Sequence, residues 1–215
     1  LILSLHPQLD KILIINERSV TGDAMRKEMD IVAPKYTNHI TIEHIDSMDM
    51  EEIEAKTKSL GKNSVILWVL LFKDKTGKFF TYKENLKQIR KISQVPIYGL
   101  WDFYLEYGIV GGFLTSANSQ AEAACKIVDQ IFAGKKANTI PIVETSPNRY
   151  IFDYHELKTY KINIPPTLNH YEIMNKPFSL YEEYKSVIWL FISILSAVLM
   201  IVIFLMQNVR KRKHS

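Results

Sequence analysis

The pattern of apolar and polar positions divides the chain into two parts. Residues 187–206 form twenty consecutive positions without a charge, of which only Ser193 and Ser196 are polar. At about 1.5 Å per residue, a helix of this length reaches roughly 30 Å, the thickness of the hydrocarbon core of a bilayer. A core helix of a globular domain would normally carry a polar stripe. The pattern therefore predicts one transmembrane helix over residues 187–206.

The residues that flank this segment predict its orientation. Four basic residues, 210–213, follow it, whereas Tyr184 and Trp189 lie at its other end. Basic clusters next to a span stay cytoplasmic, and aromatic residues favour the membrane interface. We therefore expect residues 1–185 to form an extracytoplasmic domain and residues 207–215 to form a short cytoplasmic tail.

Before residue 185, short apolar runs alternate with amphipathic helical patterns. Strands are predicted at residues 11–16, 40–45, 64–72, 96–100 and 109–114, and helices at 23–33, 49–60, 82–92 and 119–132. The uninterrupted apolar run SVILWVLLF (residues 64–72) is typical of the buried centre of a parallel sheet. Alternating strands and helices with short connections predict an α/β fold, a parallel sheet flanked by helices. Beyond residue 140 the regularity fades, and we expect short elements that fold back onto the main body.

Charge and cysteine content narrow the class of protein. The formal net charge is +4, and the four basic residues of the tail account for all of it, so nothing indicates a nucleic-acid partner. The single cysteine, Cys125, excludes an intramolecular disulfide, and its place on the apolar face of the helix predicted at 119–132 indicates a core residue. The chain begins at Leu1 without a leader; since this topology needs an export signal, we expect a further N-terminal part in the natural protein.

Polar and aromatic side chains follow the predicted strands, where open parallel sheets bind ligands. The candidate ligand-binding residues are Ser19 and Thr21 after the first strand, Asp74 after the third, Trp101, Asp102 and Tyr104 after the fourth, and Thr115 after the fifth. An indole offers a stacking surface, and a carboxylate such as Asp102 can hold a cationic or hydroxyl group. The alternative is that such residues only cap helices or form turns. For the pair Trp101–Asp102 we favour ligand binding.

The chain lacks the sequence patterns of common catalytic sites. It has no phosphate-binding glycine loop, no dinucleotide fingerprint and no nucleophile elbow. The histidines are scattered, without a helical pair or a cysteine partner, so we expect neither a metal nor a cofactor. The acidic run at residues 46–52 is interpreted as a helix N-terminus rather than a calcium loop. These absences favour a binding protein over an enzyme.

Four segments carry a specific resemblance. They are LHPQLDKILIINERSVTGDAMRKEM, PIYGLWDFYLEYGIVGGFLTS, SPNRYIFDYHELKTYKINIPP and NKPFSLYEEYK. They resemble the periplasmic sensor regions of bacterial membrane signalling proteins such as sensor histidine kinases and diguanylate cyclases. Those regions are similar to ABC-transporter substrate-binding proteins with the type I periplasmic-binding fold, in which two α/β lobes close over a ligand.

The resemblance implies that residues 1–185 form the second lobe of such a fold. The first lobe is expected before Leu1, and the segment at about 115–134 is expected to help complete it. Half of the ligand cleft would then be absent from this chain. The helix at 119–132 would also lack its normal packing surface.

The function that the resemblance implies is that of an inner-membrane sensor for a small solute. Ligand-driven closure would displace residues 176–185 and with them the transmembrane helix, which in such proteins leads to a cytoplasmic kinase, cyclase or PAS-type module. The alternative is a membrane-tethered substrate-binding component of an ABC transporter, and an exported anchored enzyme is the least favoured. The expected partners are a small-molecule ligand, the lipid bilayer through residues 187–206 and, if the parent is a kinase, a second copy. The ligand stays open among amino acids, short peptides, aromatic acids and nucleosides.

Overall fold

The computed structural model describes residues 1–37 and 39–213. Residues 214 and 215 of the predicted cytoplasmic tail lie outside this range, and so do the side chains of the predicted basic cluster at 210–213. The chain divides into two units, Leu1–Lys176 and Pro177–Ser215.

Strands and helices alternate through the first unit. The strands are β1 (Lys11–Ile15), β2 (Thr41–Ile45), β3 (Ser64–Trp68), β4 (Ile97–Gly99), β5 (Gly111–Leu114), β6 (Arg149–Asp153) and β7 (Tyr171–Met174). The helices are α1 (Ile2–Leu5), α2 (Val20–Val32), α3 (Met50–Lys58), α4 (Tyr82–Ile92), α5 (Ala117–Phe132) and α6 (Tyr154–Thr159), with 3-10 turns at Ala33–Lys35, Asp102–Tyr107 and Ala137–Thr139.

The strands of the described residues form one sheet in the order β2-β1-β3-β4-β5-β6-β7. Strands β1 to β5 pair in parallel, β6 runs antiparallel to β5, and β7 is parallel to β6. This mostly parallel sheet, flanked by helices, confirms the predicted fold class. The strand order reverses between β1 and β3, and such reversal points bind ligands beyond the carboxyl ends of the strands.

Alternating side chains of β1 build a core on each face of the sheet. Leu13 and Ile15 point to one face, where they join the largest cluster with Ile53 of α3 and Leu86 of α4. Ile14 points to the other face and packs in a smaller cluster with methionines of α2. Because successive side chains of a strand point to opposite faces, one apolar run supports both helical layers.

Capping boxes fix the starts of α3 and α4. Asp49 and Glu52 exchange side-chain-to-backbone hydrogen bonds of 2.9 Å in both directions, and Thr81 and Glu84 form the same motif at α4. The interpretation of the acidic run at 46–52 as a helix N-terminus is thereby confirmed. Since the cap is a local signal, α4 has the bounds that the sequence predicts.

Helix α2 starts earlier than predicted. The Oγ of Ser19 accepts a hydrogen bond from the Gly22 N–H at 3.1 Å, so the helix begins at Val20. Residues 21 and 22, which precede the helix predicted at 23–33, lie in the first helical turn. Gly22 is required here, since a Cβ atom would lie 2.1 Å from the Glu17 carbonyl oxygen.

Two glycines allow β5 to pair on both sides. Gly111 has a φ of +142°, and a Cβ atom there would lie 2.2 Å from the carbonyl oxygen of Ile151 in β6. A Cβ atom on Gly112 would lie 2.4 Å from the carbonyl oxygen of Gly99 in β4. Any other residue at these positions would push a neighbouring strand away.

The apolar face of α5 is exposed among the described residues. Val128 and Ile131 are 43% and 41% exposed, Phe132 is 85% exposed, and Ser119 is the buried residue of the helix. Cys125 is also exposed, so its predicted place in the core is wrong. The amphipathic pattern is present, but no described element covers the apolar face.

The second unit contains one long helix, α7 (Leu180–Lys213). Within residues Glu183–Asn208, an 18-residue stretch has a mean hydropathy of 3.0, and none of that stretch is buried. By length and composition this helix can cross a membrane, and it includes the predicted span at 187–206. Its geometry is interrupted at Tyr184, where φ is −107° and ψ is 16°.

Candidate functional site

Two cavities lie at the carboxyl edge of the sheet. The larger, of about 450 Å³, lies beyond β4 and β5 and contains Asp102 in its wall; we call it the Asp102 cavity. The smaller, of about 270 Å³, lies beyond β1, β2 and β3 and contains Asp74; we call it the Asp74 cavity. Both occupy the edge that the rule for parallel sheets predicts.

Backbone hydrogen bonds hold the residues after β4 and β5 together. The Thr115 N–H donates to the Leu100 carbonyl at 2.8 Å, and the Asp102 N–H donates to the Thr115 carbonyl at 3.1 Å. Trp101 and Thr115 form an isolated parallel bridge. The structure thus brings Trp101, Asp102 and Thr115 together, and the carboxylate of Asp102 is placed in the cavity wall by this extension of the sheet.

The carboxylate of Asp102 is half-buried and has no partner among the described residues. Neither an ion pair nor a side-chain hydrogen bond involves it within residues 1–37 and 39–213. A charge that is partly removed from water without a counter-charge costs free energy. The Asp102 carboxylate is therefore available to a ligand.

Aromatic rings form the wall beside Asp102. Phe103 is tilted 21° to Trp101 at a centroid distance of 6.1 Å, and Tyr82 lies edge-on to Phe103 at 5.2 Å and to Tyr107 at 5.6 Å. Tyr82, Phe103 and Tyr107 line the cavity, whereas Trp101 lies behind Phe103 and does not. The indole Nε1 of Trp101 is buried and has no hydrogen-bond partner in the described chain. Phe103, which the sequence prediction omitted, is the ring next to Asp102 that lines the cavity.

Tyr104 lies beneath the site instead of in its wall. Its side chain is 0% exposed and packs in the main core cluster. Burial raises the pKa of the Tyr104 phenol to about 12, so the group is neutral at physiological pH. The prediction of Tyr104 as a ligand contact is wrong because its ring turns inward from the 3-10 turn.

An ion-pair group also lines the Asp102 cavity. Arg149 of β6 donates to Glu122 of α5 at 2.7 Å and to Glu172 of β7 at 3.1 Å, and all three residues line the cavity. These residues are absent from the sequence prediction. They are 23 and 27 positions apart, and only the antiparallel return of β6 brings them together.

The carboxylate of Asp74 is saturated by its own turn. Its Oδ1 accepts hydrogen bonds from the Thr76 N–H at 2.9 Å, the Thr76 hydroxyl at 2.6 Å and the Lys78 N–H at 3.1 Å. Burial raises the pKa of this carboxyl group, but the hydrogen bonds outweigh burial and hold the pKa below its ordinary value. Asp74 lines its cavity, yet its geometry is that of a turn residue.

Glu17 organises the entry to the same turn. It is 8% exposed, and its Oε2 accepts the N–H groups of Phe72 and Lys73, the latter at 3.1 Å. These bonds draw the chain away from the sheet after β3. The strand predicted at residues 64–72 therefore ends at Trp68, although the apolar residues that follow it stay buried.

Ser19 and Thr21 line neither cavity. The hydroxyl of Ser19 caps α2, which is the alternative that the sequence left open, and Thr21 is exposed in the first turn of the helix. Among the described residues there is no cluster of three His, Cys, Asp or Glu side chains with the spacing of a metal site.

Neither a protein-family model nor a curated protein matches the chain. Solved structures do match it. A substrate binding protein with adhesive properties from Clostridium difficile, in its ligand-free, open structure, aligns with a TM-score of 0.62 at 14% identity, over 81% of this chain and 58% of that one. An ABC domain in complex with L-Trp from Streptococcus pneumonia aligns with a TM-score of 0.55 at 16% identity, over 80% and 58% of the two chains.

A conserved domain protein from Vibrio cholerae aligns similarly, with a TM-score of 0.54 at 14% identity, over 80% of this chain and 57% of that one. At these identities the likeness shows the fold alone: the chain shares the α/β fold of these structures over about four fifths of its length. The chain spans less than two thirds of the length of the structures that it matches.

Proposed function

We propose that this chain is the extracytoplasmic solute-binding module of a membrane signalling protein. The observation that carries the proposal is a cavity with an unpartnered carboxylate at the carboxyl edge of a substrate-binding fold. The same chain continues into a helix that is long and apolar enough to span a bilayer. The module acts by binding and not by catalysis.

The proposed mechanism is lobe closure. A ligand in the Asp102 cavity would contact a second lobe on its other side, and it would bind the closed arrangement more tightly than the open one. Only this difference in affinity moves the equilibrium toward closure. Closure would then displace the start of α7 and transmit the signal through the span at residues 187–206. Two copies would act as a pair if the output is a kinase.

The comparison with solved structures supports a small-molecule ligand. The streptococcal neighbour is described in complex with L-Trp, and the clostridial neighbour is described as a substrate binding protein. This chain aligns with only 58% of each neighbour. By analogy of fold, we propose that a second lobe supplies the other wall of the ligand cleft.

Ligand-dependent stabilisation tests the solute-binding function. We expect a cognate solute to raise the unfolding temperature of the full-length protein in nanodiscs, since a ligand at 100 times its Kd stabilises the folded state by about 2.7 kcal/mol. The control is the variant Asp102→Asn, in which the shift should shrink. A broad panel of amino acids, peptides, aromatic acids and nucleosides that gives no shift would contradict the proposal.

The alternative function is delivery of solute to an ABC permease. The neighbours favour it, because one is named a substrate binding protein and another an ABC domain. Deletion of the gene separates the two functions. A sensor would lose its transcriptional or second-messenger response while solute uptake is unchanged, whereas a transport component would lose uptake itself.

A further inference from the structure

We infer that the ligand of the Asp102 cavity carries a protonated amine on an apolar body. This inference rests on the proposed solute-binding function and adds the chemical class of the ligand. It depends on the charges around the cavity, the rings beside Asp102 and the dimensions of the cavity.

The charge balance leaves one carboxylate unmatched. Arg149 takes both Glu122 and Glu172 as partners. Tyr107 raises the pKa of Lys83 most and Glu106 adds a small electrostatic contribution, so Glu106 has an ammonium group near it. Asp102 alone among the acidic residues of this wall has no cation within the described part of the chain. A ligand cation would supply the missing counter-charge.

The rings around the cavity already attract cations. The Lys83 and Lys87 ammonium groups lie 5.5 and 5.2 Å from the centroid of Tyr107, and Lys83 lies 5.8 Å from that of Tyr82. The electron-rich faces of aromatic rings favour such positions. The ring of Phe103, 38% exposed and next to Asp102, has no ammonium group over it among the described residues. A ligand amine at Asp102 would therefore lie beside a partly exposed ring that has no other ammonium group over it.

The apolar body of the ligand has a surface to pack against. Phe103 and Tyr82 form an edge-to-face pair that is backed by Trp101. A cavity of about 450 Å³ on this single lobe accommodates a ligand of amino-acid or aryl-amine size. Two sources share this chemistry, a free amine and an α-amino acid, and both place an ammonium group next to an apolar body.

A matched set of ligands tests the inference by calorimetry on the full-length protein in nanodiscs. The probes are tryptamine, L-tryptophan and indole-3-propionate, with the corresponding phenyl and isobutyl compounds. For at least one of the three apolar groups (indole, phenyl or isobutyl), we expect the amine or the amino acid to bind. The carboxylate with the same apolar group should bind at least tenfold more weakly. Tighter binding by the amino acid identifies an α-amino acid site, and tighter binding by the amine identifies a free-amine site.

Asp102→Asn is the decisive variant. This variant should bind the amine-bearing probe about 10- to 100-fold more weakly, because a charge-assisted hydrogen bond contributes more to affinity than a neutral one. Asp129→Asn removes the same charge from α5 outside the cavity and serves as the matched control. The unfolding temperature of Asp102→Asn should equal that of the wild type, so a loss of binding is not a loss of fold.

The results that overturn the inference are distinct from those that overturn the function. If no amine or amino acid of the set binds up to millimolar concentration, or if Asp102→Asn leaves their affinity unchanged, the ligand class is wrong. If a carboxylate or neutral probe then binds, the solute-binding function stands without this ligand class. If no solute in the broader panel stabilises the protein either, the function fails as well.

Discussion

Asp74 and Asp102 follow neighbouring strands at the same edge of the sheet, yet their surroundings differ. Three hydrogen bonds from Thr76 and Lys78 converge on one oxygen of Asp74. The Asp102 carboxylate accepts none among the described residues, although it is also partly withdrawn from water. Position beyond a strand is therefore a poor guide to role. The useful measure is whether the chain itself satisfies the polar group.

This contrast separates architecture from recognition. At the Asp74 cavity, Glu17 and Asp74 use their acceptors on the protein's own backbone, and Ser19 does the same at the start of α2. At the Asp102 cavity, the backbone fixes the residue and leaves its carboxylate unused. We expect substitutions in the first region to change stability and substitutions in the second to change binding.

The largest effect on stability is expected for Glu17→Ala. This change leaves the N–H groups of Phe72 and Lys73 without their acceptor in a partly buried place, which should lower the free energy of unfolding by about 3 kcal/mol. Urea unfolding of the detergent-solubilised chain, followed by near-ultraviolet circular dichroism, measures it. Glu17→Gln retains a side-chain oxygen as hydrogen-bond acceptor, so its loss of unfolding free energy should be clearly smaller. Equal losses for the two variants would contradict the hydrogen-bonding account.

Asp74→Ala should lower the free energy of unfolding by about 2 kcal/mol at neutral pH, because the turn loses its central hydrogen-bond acceptor. The folded-state pKa of Asp74 lies below its ordinary value of 3.8. Its stabilisation is therefore fully present above that value and is lost as the pH falls through the folded pKa. Urea unfolding near neutral pH and at about pH 3 should show the wild type and the variant converging in acid. A difference that is independent of pH would refute the role of the charge.

Ser19→Ala should lower the free energy of unfolding by about 1 kcal/mol, because α2 loses its N-cap hydrogen bond. Thr21→Ala, two residues further on, is the matched control; its exposed side chain should contribute less than about 0.5 kcal/mol to the free energy of unfolding. The same urea titration compares them. If Thr21→Ala proved the more damaging of the two, the cap would be misassigned.

The smallest effect on stability is expected for Asp102→Asn, within about 0.5 kcal/mol of the wild type, because the carboxylate makes no bond to the described chain. The measurement is again the midpoint of urea unfolding. A loss as large as that of Asp74→Ala would erase the contrast between the two carboxylates.

The sequence predicts the parallel half of the sheet well and the remainder poorly. Apolar runs and capping boxes are local signals, so α4 and the strands up to β5 lie within a few residues of their predicted positions. Strand β7 was not predicted, because its four residues, all of them exposed, are too few to give a recognisable alternation of apolar and polar positions. The antiparallel direction of β6 depends on a pairing with β5 that no short stretch encodes.

The candidate site was predicted only as far as general rules of topology reach. The carboxyl-end rule brings Trp101, Asp102 and Thr115 together, and the structure confirms that proximity. The rule does not say which ring faces the cavity: Phe103 does and Tyr104 does not, because a 3-10 turn rotates them apart. Arg149 could not be found either, since its partners come from two other elements.

The two adjacent glycines of β5 affect how related sequences should be compared. The carbonyl oxygens of Ile151 and Gly99 leave no space for even a methyl group at positions 111 and 112. Two proteins that share this Gly-Gly pair therefore share a way of joining three strands. The pair carries no information about the solute that either protein recognises, and inference of a common ligand has to come from the cavity wall.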